Sequence, residues 1–165
     1  MSVIILNRIT ESDATVFFKL AHSDIEAESE IDRFLPSYCQ DPQSTKELVK
    51  DFSRQHDGRL FHYYMIKVDG NPVGFISAEY TRVYFSGLYV TYFLGYPYRG
   101  LHYMRIALDK LFEKVSESGL ELPFIFDINA ENTQSRYVIE KLAKNPVDSY
   151  EDRNKQKFLT YIVYP

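Results

Sequence analysis

The feature that most constrains this chain is a long amphipathic segment, which follows a β-like run and a loop containing glycine and proline. From residue 102 onward, apolar side chains recur at helical spacing, at Met104, Ala107, Leu108, Leu111, Phe112 and Val115. This spacing puts them on one face of an α-helix, and that face must be buried against another layer. Gly119 follows and marks the expected end of the helix.

Strands are predicted on both sides of this helix. The segments are rich in β-branched and aromatic residues, which favour strands. They cover residues 3–9, 61–68, 73–80, 83–94, 122–128 and 157–163, and Ser86-Gly87 interrupts the run at residues 83–94. Asp69-Gly70 lies between two of them and is a turn signal that predicts a β-hairpin.

Three further helices are predicted from start signals and apolar spacing. The first follows the turn at residues 10–13. Ser44 and Glu47 form a predicted capping box, which would begin the second helix after the breaker Pro42. The last helix is predicted over residues 132–143. Its expected inward side chains are Tyr137, Val138 and Leu142.

The order of these elements predicts an α+β fold with a mixed sheet. The chain has 165 residues, of which 45% are hydrophobic, and this is enough for the core of one ordinary domain. No repeat and no linker rich in proline, glycine or serine divides it. We therefore expect a single domain over residues 1–165.

Charge, cysteine content and hydropathy exclude several classes of protein. The 19 basic and 23 acidic residues give a formal net charge of -4, whereas domains that bind nucleic acid usually carry a basic excess. Cys39 is the single cysteine, so no internal disulfide can form. No apolar run approaches the roughly 18 residues of a membrane span, and no secretory signal is evident. We expect no nucleic-acid partner, no membrane association and a cytoplasmic location.

The other titratable clusters do not indicate a site of their own. The histidines and the cysteine lack the spacing of metal ligands, so no metal site is predicted. They are His22, His56, His62, His102 and Cys39. The acidic run at residues 24–32 would attract a cationic substrate, although such runs are more often solvated surface.

The loop at residues 96–102 joins a predicted strand to the amphipathic helix. Such a junction presents free backbone amides and the positive end of the helix dipole, and it can therefore hold a phosphate. Arg99 and Arg105 suit this role because a guanidinium matches phosphate geometry. The alternative is an ordinary connection with two solvated arginines.

Four segments, in this order and spacing, carry a resemblance to a known family. They are residues 6–14, the D-G-x-x-V-G turn at residues 69–74, residues 94–108, and the E-N-x-x-S-x-x-V-x-E-K-L pattern at residues 131–142. Together they resemble the GNAT superfamily of acetyl-CoA-dependent N-acetyltransferases, particularly the branch of the ribosomal-protein alanine acetyltransferases.

The resemblance implies a mostly antiparallel sheet with one splayed parallel pair, flanked by about four helices. It also implies acetyl-CoA as co-substrate and direct attack by a primary amine on the thioester. The pantetheine arm is expected in the gap of the splayed pair, and the pyrophosphate on the loop amides. The implied cofactor-binding residues are Tyr92, Phe93, Leu94, Arg99, Gly100, Leu101, His102, Tyr103, Met104, Arg105, Asn132 and Ser135.

The chain departs from the family pattern at three places. His102 and Met104 stand where the family loop has glycine and a small residue. Ile139 stands where many members place a tyrosine that acts as general acid toward the leaving thiolate. Ala143-Lys144 stands where they usually have Gly-Phe. The alternative hypothesis is therefore a catalytically inactive protein of this fold that acts as a binding or structural module.

Two residues are candidates for catalysis. Glu79, on a meander strand, is a candidate general base, and its alternative role is a surface carboxylate. His102 is the residue of the loop whose ordinary pKa is nearest neutral, and its alternative role is a polar first-turn residue. The acceptor is expected to be a small-molecule or protein amine. Monomer and homodimer are both compatible with the sequence.

Overall fold

Seven strands form one sheet that is covered by helices on both faces. The computed structural model describes residues 2–23, 39–83 and 85–165, so the acidic run at residues 24–32 lies outside the described part. The strands are β1 (Ile4–Arg8), β2 (Phe61–Val68), β3 (Asn71–Thr81), β4 (Gly87–Leu94), β5 (Phe124–Asn129), β6 (Asp148–Glu151) and β7 (Lys157–Val163). The α-helices in the described part are α1 (Ala14–Ala21), α2 (Pro42–Gln55), α3 (Tyr103–Glu117) and α4 (Thr133–Ile139).

The sheet order is β1-β2-β3-β4-β5-β7-β6. Only β4 and β5 are parallel, and every other neighbouring pair is antiparallel. The predicted α+β class, with a mixed and mostly antiparallel sheet, is confirmed. A parallel pair needs a crossover connection, which α3 provides here.

Each face of the sheet has its own apolar core. The apolar stripe of α3 packs on one face, where Leu108, Leu111 and Ile76 are fully buried. On the other face, α1 and α2 cover a cluster that includes Phe17 and Phe75. The rings of these two residues meet edge to face at 5.1 Å. Removal of both layers of side chains from water is the main stabilising contribution to this fold.

One predicted strand begins later than expected, and one observed strand was not predicted. The hairpin at Asp69-Gly70 is confirmed, but β4 begins only at Gly87, four residues after the start of the predicted run. Thr81 pairs with Gly87, where β3 ends and β4 begins. The strand β6 was not predicted because its four residues are all exposed and show no apolar alternation.

The predicted capping box of α2 is wrong. The helix begins at Pro42, and Asp41 is its N-cap, whose carboxylate accepts hydrogen bonds from the amides of Gln43 and Ser44 at 2.8 Å each. Proline is not a breaker at this position, because the first helical residue needs no amide hydrogen. Ser44 is thus the third residue of the helix and not its cap.

The predicted last helix is shorter than expected. It ends at Ile139, and the amides of Leu142 and Ala143 both turn back to the carbonyl of that residue at 2.8 Å. Ile139 is fully buried, whereas Tyr137 is 60% exposed, so the prediction of Tyr137 as an inward residue is wrong. Val138 and Leu142 are half-buried against the core, as expected. Within the described part of the chain, no helix has both the length and the apolar character to cross a membrane.

Two histidines lie close together where α2 ends and β2 begins: His56 directly follows α2, and His62 is the second residue of β2. The Nδ1 of His56 accepts a hydrogen bond from the amide of Tyr63 at 3.0 Å. His62 is fully buried, and its Nε2 donates to the carbonyl of Arg59 at 2.9 Å. The two imidazole rings lie 6.1 Å apart.

The D41A substitution should lower the melting temperature by a few degrees, because two amides at the start of α2 would lose their acceptor. E47A serves as the matched control, because Glu47 is exposed in the first turns of the same helix and accepts a hydrogen bond from the exposed side chain of Gln43. Thermal unfolding of the three proteins, followed by circular dichroism, measures the effect. Equal losses in both variants would contradict the assignment of Asp41 as the cap.

Acid should destabilise the protein through the two histidines. Burial lowers the pKa of both His56 and His62, and the charges of Arg8 and Lys114 act in the same direction, while Asp57 opposes them. The unfolded chain therefore binds protons more readily, so this stabilisation is complete above about pH 6.5 and is lost as the pH falls. The urea midpoint should decrease between pH 7.5 and pH 5.5. The decrease should be smaller in the H56Q/H62Q variant, and an unchanged slope would disprove the assignment.

Candidate functional site

The parallel strands β4 and β5 are joined at one end only. They pair at Leu88 with Phe124 and at Tyr89 with Ile125, and the rest of the two strands is not paired. The amide of Leu88 also donates to the carbonyl of Pro123 at 2.8 Å and closes this end. Because the strands separate beyond Tyr89, a gap opens between their second halves.

Gly87 is required at the closed end of this gap. A Cβ atom at this position would lie 2.6 Å from the carbonyl oxygen of Pro123, which is closer than such contacts allow. The absence of a side chain therefore lets the two strands approach at the point from which they separate.

Two cavities meet at the gap. The smaller, of about 130 Å³, lies between β4 and β5, and its lining includes Asp127 and Asn132. The larger, of about 460 Å³, lies at the mouth of the gap, between the first turn of α3 and α4. Tyr92 and Ser135 line both cavities, so the larger space leads into the smaller one at these two side chains.

Most of the implied cofactor-binding residues line the larger cavity. They are Tyr92, Leu94, Arg99, Gly100, His102, Tyr103, Met104, Arg105 and Ser135. The other three lie elsewhere. Phe93 points to the opposite face of the sheet, where its ring meets Phe17 at 5.1 Å, because successive strand residues alternate. Leu101 is 49% exposed beside the loop, and Asn132 lines the smaller cavity.

Asn132 also begins the helix that forms one wall of the site. Its side-chain oxygen accepts a hydrogen bond from the amide of Ser135 at 3.1 Å and so caps α4. At the other end of this helix, Glu140 accepts hydrogen bonds from Arg136 at 3.1 Å and from the hydroxyl of Tyr161 at 2.7 Å. These contacts fix α4, and with it Ser135, against the sheet.

The loop before α3 keeps an unusual backbone conformation. His102 has φ 62° and ψ 8°, which is the left-handed region that favours glycine. Gly100 also has a positive φ, of 75°. The imidazole of His102 is exposed at the rim of the larger cavity and does not cap the helix. The side chain of Met104 is 6% exposed and packs in the core under α3.

Positive charge surrounds the mouth of the larger cavity. The first turn of α3 supplies unpaired amides and the positive end of a 15-residue helix. The Nε of Arg99 donates to the carbonyl of Leu94 at 3.0 Å, which ties the loop to the end of β4. Arg105 lies within the first turn of the helix and pairs with Asp109 at 3.2 Å. This end of the cavity is suited to an anionic group.

Tyr92 places its hydroxyl at the junction of the two cavities. The oxygen is buried and has no hydrogen-bond partner in the described part of the chain. Burial raises the pKa of this phenol, and the nearby hydroxyl of Ser135 opposes the rise. The hydroxyl therefore stays protonated at neutral pH and is a hydrogen-bond donor at the wall of both cavities.

On the opposite face, Glu79 lies beside the closed end of the gap. It stands directly across from Tyr89, which lines the smaller cavity. Glu79 is half-buried, and burial raises the pKa of its carboxyl, while a hydrogen bond with Tyr63 opposes the rise. Its carboxylate is therefore a better proton acceptor than an exposed one.

Asp127 is a site residue that the sequence analysis missed. Its carboxylate lines the smaller cavity and accepts hydrogen bonds from Thr160 at 2.6 Å and Tyr150 at 2.9 Å. Tyr89 also lies beside it, and the pKa of that phenol is raised by burial and then by the carboxylate. The available signal was an acid inside the otherwise apolar strand of residues 124–128.

The comparisons with known proteins agree with this architecture. A family model described as the acetyltransferase (GNAT) domain matches residues 4–143 of the chain. No curated protein matches it by sequence. Among solved structures, RimL, a ribosomal L7/L12 alpha-N-protein acetyltransferase, has a TM-score of 0.80 at 16% identity, over 98% of this chain and 90% of its own.

Two other structures show the same likeness. The ribosomal-protein-S5-alanine acetyltransferase from Vibrio fischeri has a TM-score of 0.76 at 17% identity, over 99% of this chain and 96% of its own. The microcin C7 self-immunity acetyltransferase MccE, solved with acetyl-CoA and AMP, has a TM-score of 0.76 at 15% identity, over 98% of this chain and 92% of its own. At such identities, the likeness concerns the fold.

The H102G substitution should stabilise the protein by about 1 kcal/mol, because glycine adopts the left-handed conformation without the steric cost of a Cβ atom. H102A is the matched control: it removes the imidazole but keeps the Cβ, so its stability should stay within a few tenths of a kcal/mol. Urea unfolding of the three proteins measures both changes. A loss of stability in H102G would show that the imidazole, and not the backbone, determines the conformation of this loop.

Proposed function

The chain belongs to the GNAT acetyltransferase family, and from this membership we propose that it transfers the acetyl group of acetyl-CoA to a primary amine. The observation that carries the proposal is the passage through the sheet. A large cavity with a positive mouth leads into a smaller one between β4 and β5, and a carboxylate lies beside the smaller one. Two substrates can thus approach one another from opposite faces of the sheet.

The residues present fit an acyl-CoA. The larger cavity pairs an anion-binding end, at the first turn of α3 and Arg105, with a wall that includes Leu94 and Val138. The buried hydroxyl of Tyr92 is a polar donor at the inner end. When bound, the thioester supplies an activated acyl group. We assign the loop amides and Arg105 to the pyrophosphate and the free edge of β4 to the pantetheine arm.

The chain's role in the transfer is to orient two reactants and to accept a proton. The amine nitrogen forms a bond to the thioester carbon, the carbon–sulfur bond breaks, and sulfur leaves with the electron pair. The amine loses one proton and the departing thiolate gains one, so the products are an amide and a free thiol. No protein nucleophile is needed for this exchange.

In this proposal, Glu79 and Asp127 have different roles toward the acceptor amine. The raised pKa of Glu79 suits it to take the proton from the amine. Asp127 still has free lone pairs after its bonds to Thr160 and Tyr150, and it can hold the cationic form of the acceptor at the gap. His102 lies at the exposed rim, beside the expected phosphate end, so the geometry favours Glu79 over His102 as the base.

The structural relatives suggest what kind of amine is used. RimL is named for acetylation of a protein α-amino group, and the Vibrio fischeri protein for acetylation of an alanine of a ribosomal protein. Both acceptors are primary amines. We therefore place a peptide N-terminus first among acceptors for this chain, followed by small-molecule amines.

Calorimetric titration with acetyl-CoA tests the proposal. Micromolar binding is expected, and R105E should weaken it about tenfold, because the substitution reverses a charge at the phosphate end of the cavity. K110E is the charge-matched control on the same helix, and its residue does not line the cavity, so its affinity should stay within about twofold. An acceptor panel with a thiol-release assay then measures transfer. Absence of binding in the unsubstituted protein would contradict the proposal and favour a binding or structural module of this fold.

A further inference from the structure

We propose that Tyr63 is a positioning residue for Glu79: its phenol donates a hydrogen bond to the carboxylate of Glu79 and turns to Gln55 once that carboxylate has taken up a proton. The inference rests on the proposed function, in which Glu79 accepts the proton of the acceptor amine. It names the group that orients this carboxylate before the amine arrives. The phenol keeps its own proton throughout, and only the acceptor of its hydrogen bond changes.

The sheet register places Tyr63 and Glu79 on the same face of neighbouring strands. Tyr63 of β2 pairs with Ser77, and Glu79 stands two residues further along β3. Residues two apart on a strand point to the same face, and such diagonal neighbours are within reach of a long aromatic side chain. The phenolic oxygen is within hydrogen-bonding distance of the Glu79 carboxyl. The contact lies on the face that α1 and α2 cover.

The ring of Tyr63 is held rigidly. The residue is 1% exposed, and its ring stacks on Phe52 of α2, with 4.5 Å between the ring centres and 16° between the planes. Its backbone amide donates a hydrogen bond to the Nδ1 of His56 at 3.0 Å. In a ring fixed in this way, the hydroxyl hydrogen can still rotate. The direction of the hydrogen bond can therefore change while the oxygen stays in place.

The phenol has two acceptors for one proton. Its hydroxyl lies 3.2 Å from the Oε1 of Gln55, the last residue of α2, and the carboxyl of Glu79 is the second acceptor. An ionised carboxylate is the stronger acceptor because it carries a charge. After Glu79 has taken up the proton of the amine, that charge is gone, and the amide oxygen of Gln55 competes on equal terms. The exchange needs no movement of a heavy atom.

Glu79 needs such a partner because it is half-buried. Burial raises the pKa of its carboxyl, and the hydrogen bond from Tyr63 opposes this rise. The phenol does not compete for the proton, because burial and then the charge of Glu79 raise its own pKa. The two effects on Glu79 together favour a carboxyl that is more basic than an exposed one but is not held in its neutral form. A general base requires both properties.

Other titratable groups also lie around this pair. Tyr89 stands across from Glu79 on β4, and the carboxylate of Asp57 lies near the phenol of Tyr63. His56 bonds the amide of Tyr63, and burial lowers the pKa of its imidazole. A titration that follows the carboxyl carbon of Glu79 itself separates its proton from theirs.

Carbon-13 NMR of the protein labelled at the glutamate carboxyl carbons tests the proposal without any ligand, and E79Q identifies the resonance of Glu79. Y63F should raise the pKa of Glu79 by about 1 pH unit, because the carboxylate loses a donor. Q55L should lower it by about 0.5 pH unit, because the phenol loses the acceptor to which it turns when Glu79 is neutral. Opposite shifts are the signature of a shared hydrogen bond.

Y64F is the matched control. Tyr64 is the next residue of β2 and is also buried, but it packs in the core on the opposite face, under α3. Its substitution should leave the pKa of Glu79 unchanged. An equal pKa of Glu79 in Y63F and the unsubstituted protein, or shifts of the same sign in Y63F and Q55L, would overturn the proposal. If Y63F does not fold, Q55L decides alone, because its residue is exposed, and a pKa that does not fall is then the contradicting result.

The pH profile of transfer gives a second readout. With acetyl-CoA and a peptide that begins with alanine, the acidic limb of kcat/KM should move about 1 pH unit higher in Y63F, because a base of higher pKa is ionised only at higher pH. Above the limb, kcat/KM should stay within about twofold. A uniform loss at every pH would indicate a merely structural role for Tyr63 and contradict the proposal.

Failure of the proposed function gives a different result. In that case, the unsubstituted protein would not bind acetyl-CoA in calorimetry, whatever the titration of Glu79 shows. If acetyl-CoA binds and the peptide is acetylated, but the acidic limb is the same in Y63F, the transfer reaction stands and the role of Tyr63 is disproved.

Discussion

The functional architecture of this protein depends on one pair of strands that is closed at one end and open at the other. The parallel strands β4 and β5 share two residue pairs, and Gly87 allows the approach to Pro123 that holds this end together. If the pairing continued along both strands, the sheet would be sealed, and the two cavities would be separate or absent. The missing hydrogen bonds leave backbone groups that a ligand can satisfy, so an incomplete sheet becomes a binding element.

The two faces of the sheet carry different chemistry at this opening. The face under α3 and α4 has a positive helix terminus, Arg105 and the buried phenol of Tyr92. The face under α1 and α2 has the carboxylates of Glu79 and Asp127 beside the gap. Strand alternation produces this separation, because neighbouring residues of one strand point to opposite faces. A cofactor rich in phosphate and a cationic acceptor would therefore be drawn to opposite sides of one layer.

Periodicity predicted the elements well where one face of each is apolar, as with the stripe of α3. It failed at Asp41, where a local polar contact decides which residue caps α2, and at Tyr137, which is exposed while Ile139 is the buried residue of α4. The family resemblance predicted most of the residues that line the larger cavity, because many of them are close in sequence, at residues 99–105. Asp127 was missed because its partners lie on other strands, and no local pattern shows that β4 and β5 separate.

The outermost strand, β6, also affects how copies of this protein behave toward one another. An unpaired sheet edge can recruit a strand from a second molecule and so begin aggregation. Here the edge is only four residues long, and it begins with Asp148 and ends with Glu151. Two such strands placed side by side would bring their carboxylates together. The same strand positions Tyr150 on Asp127, so the residues that discourage self-association flank a contact at the wall of the smaller cavity.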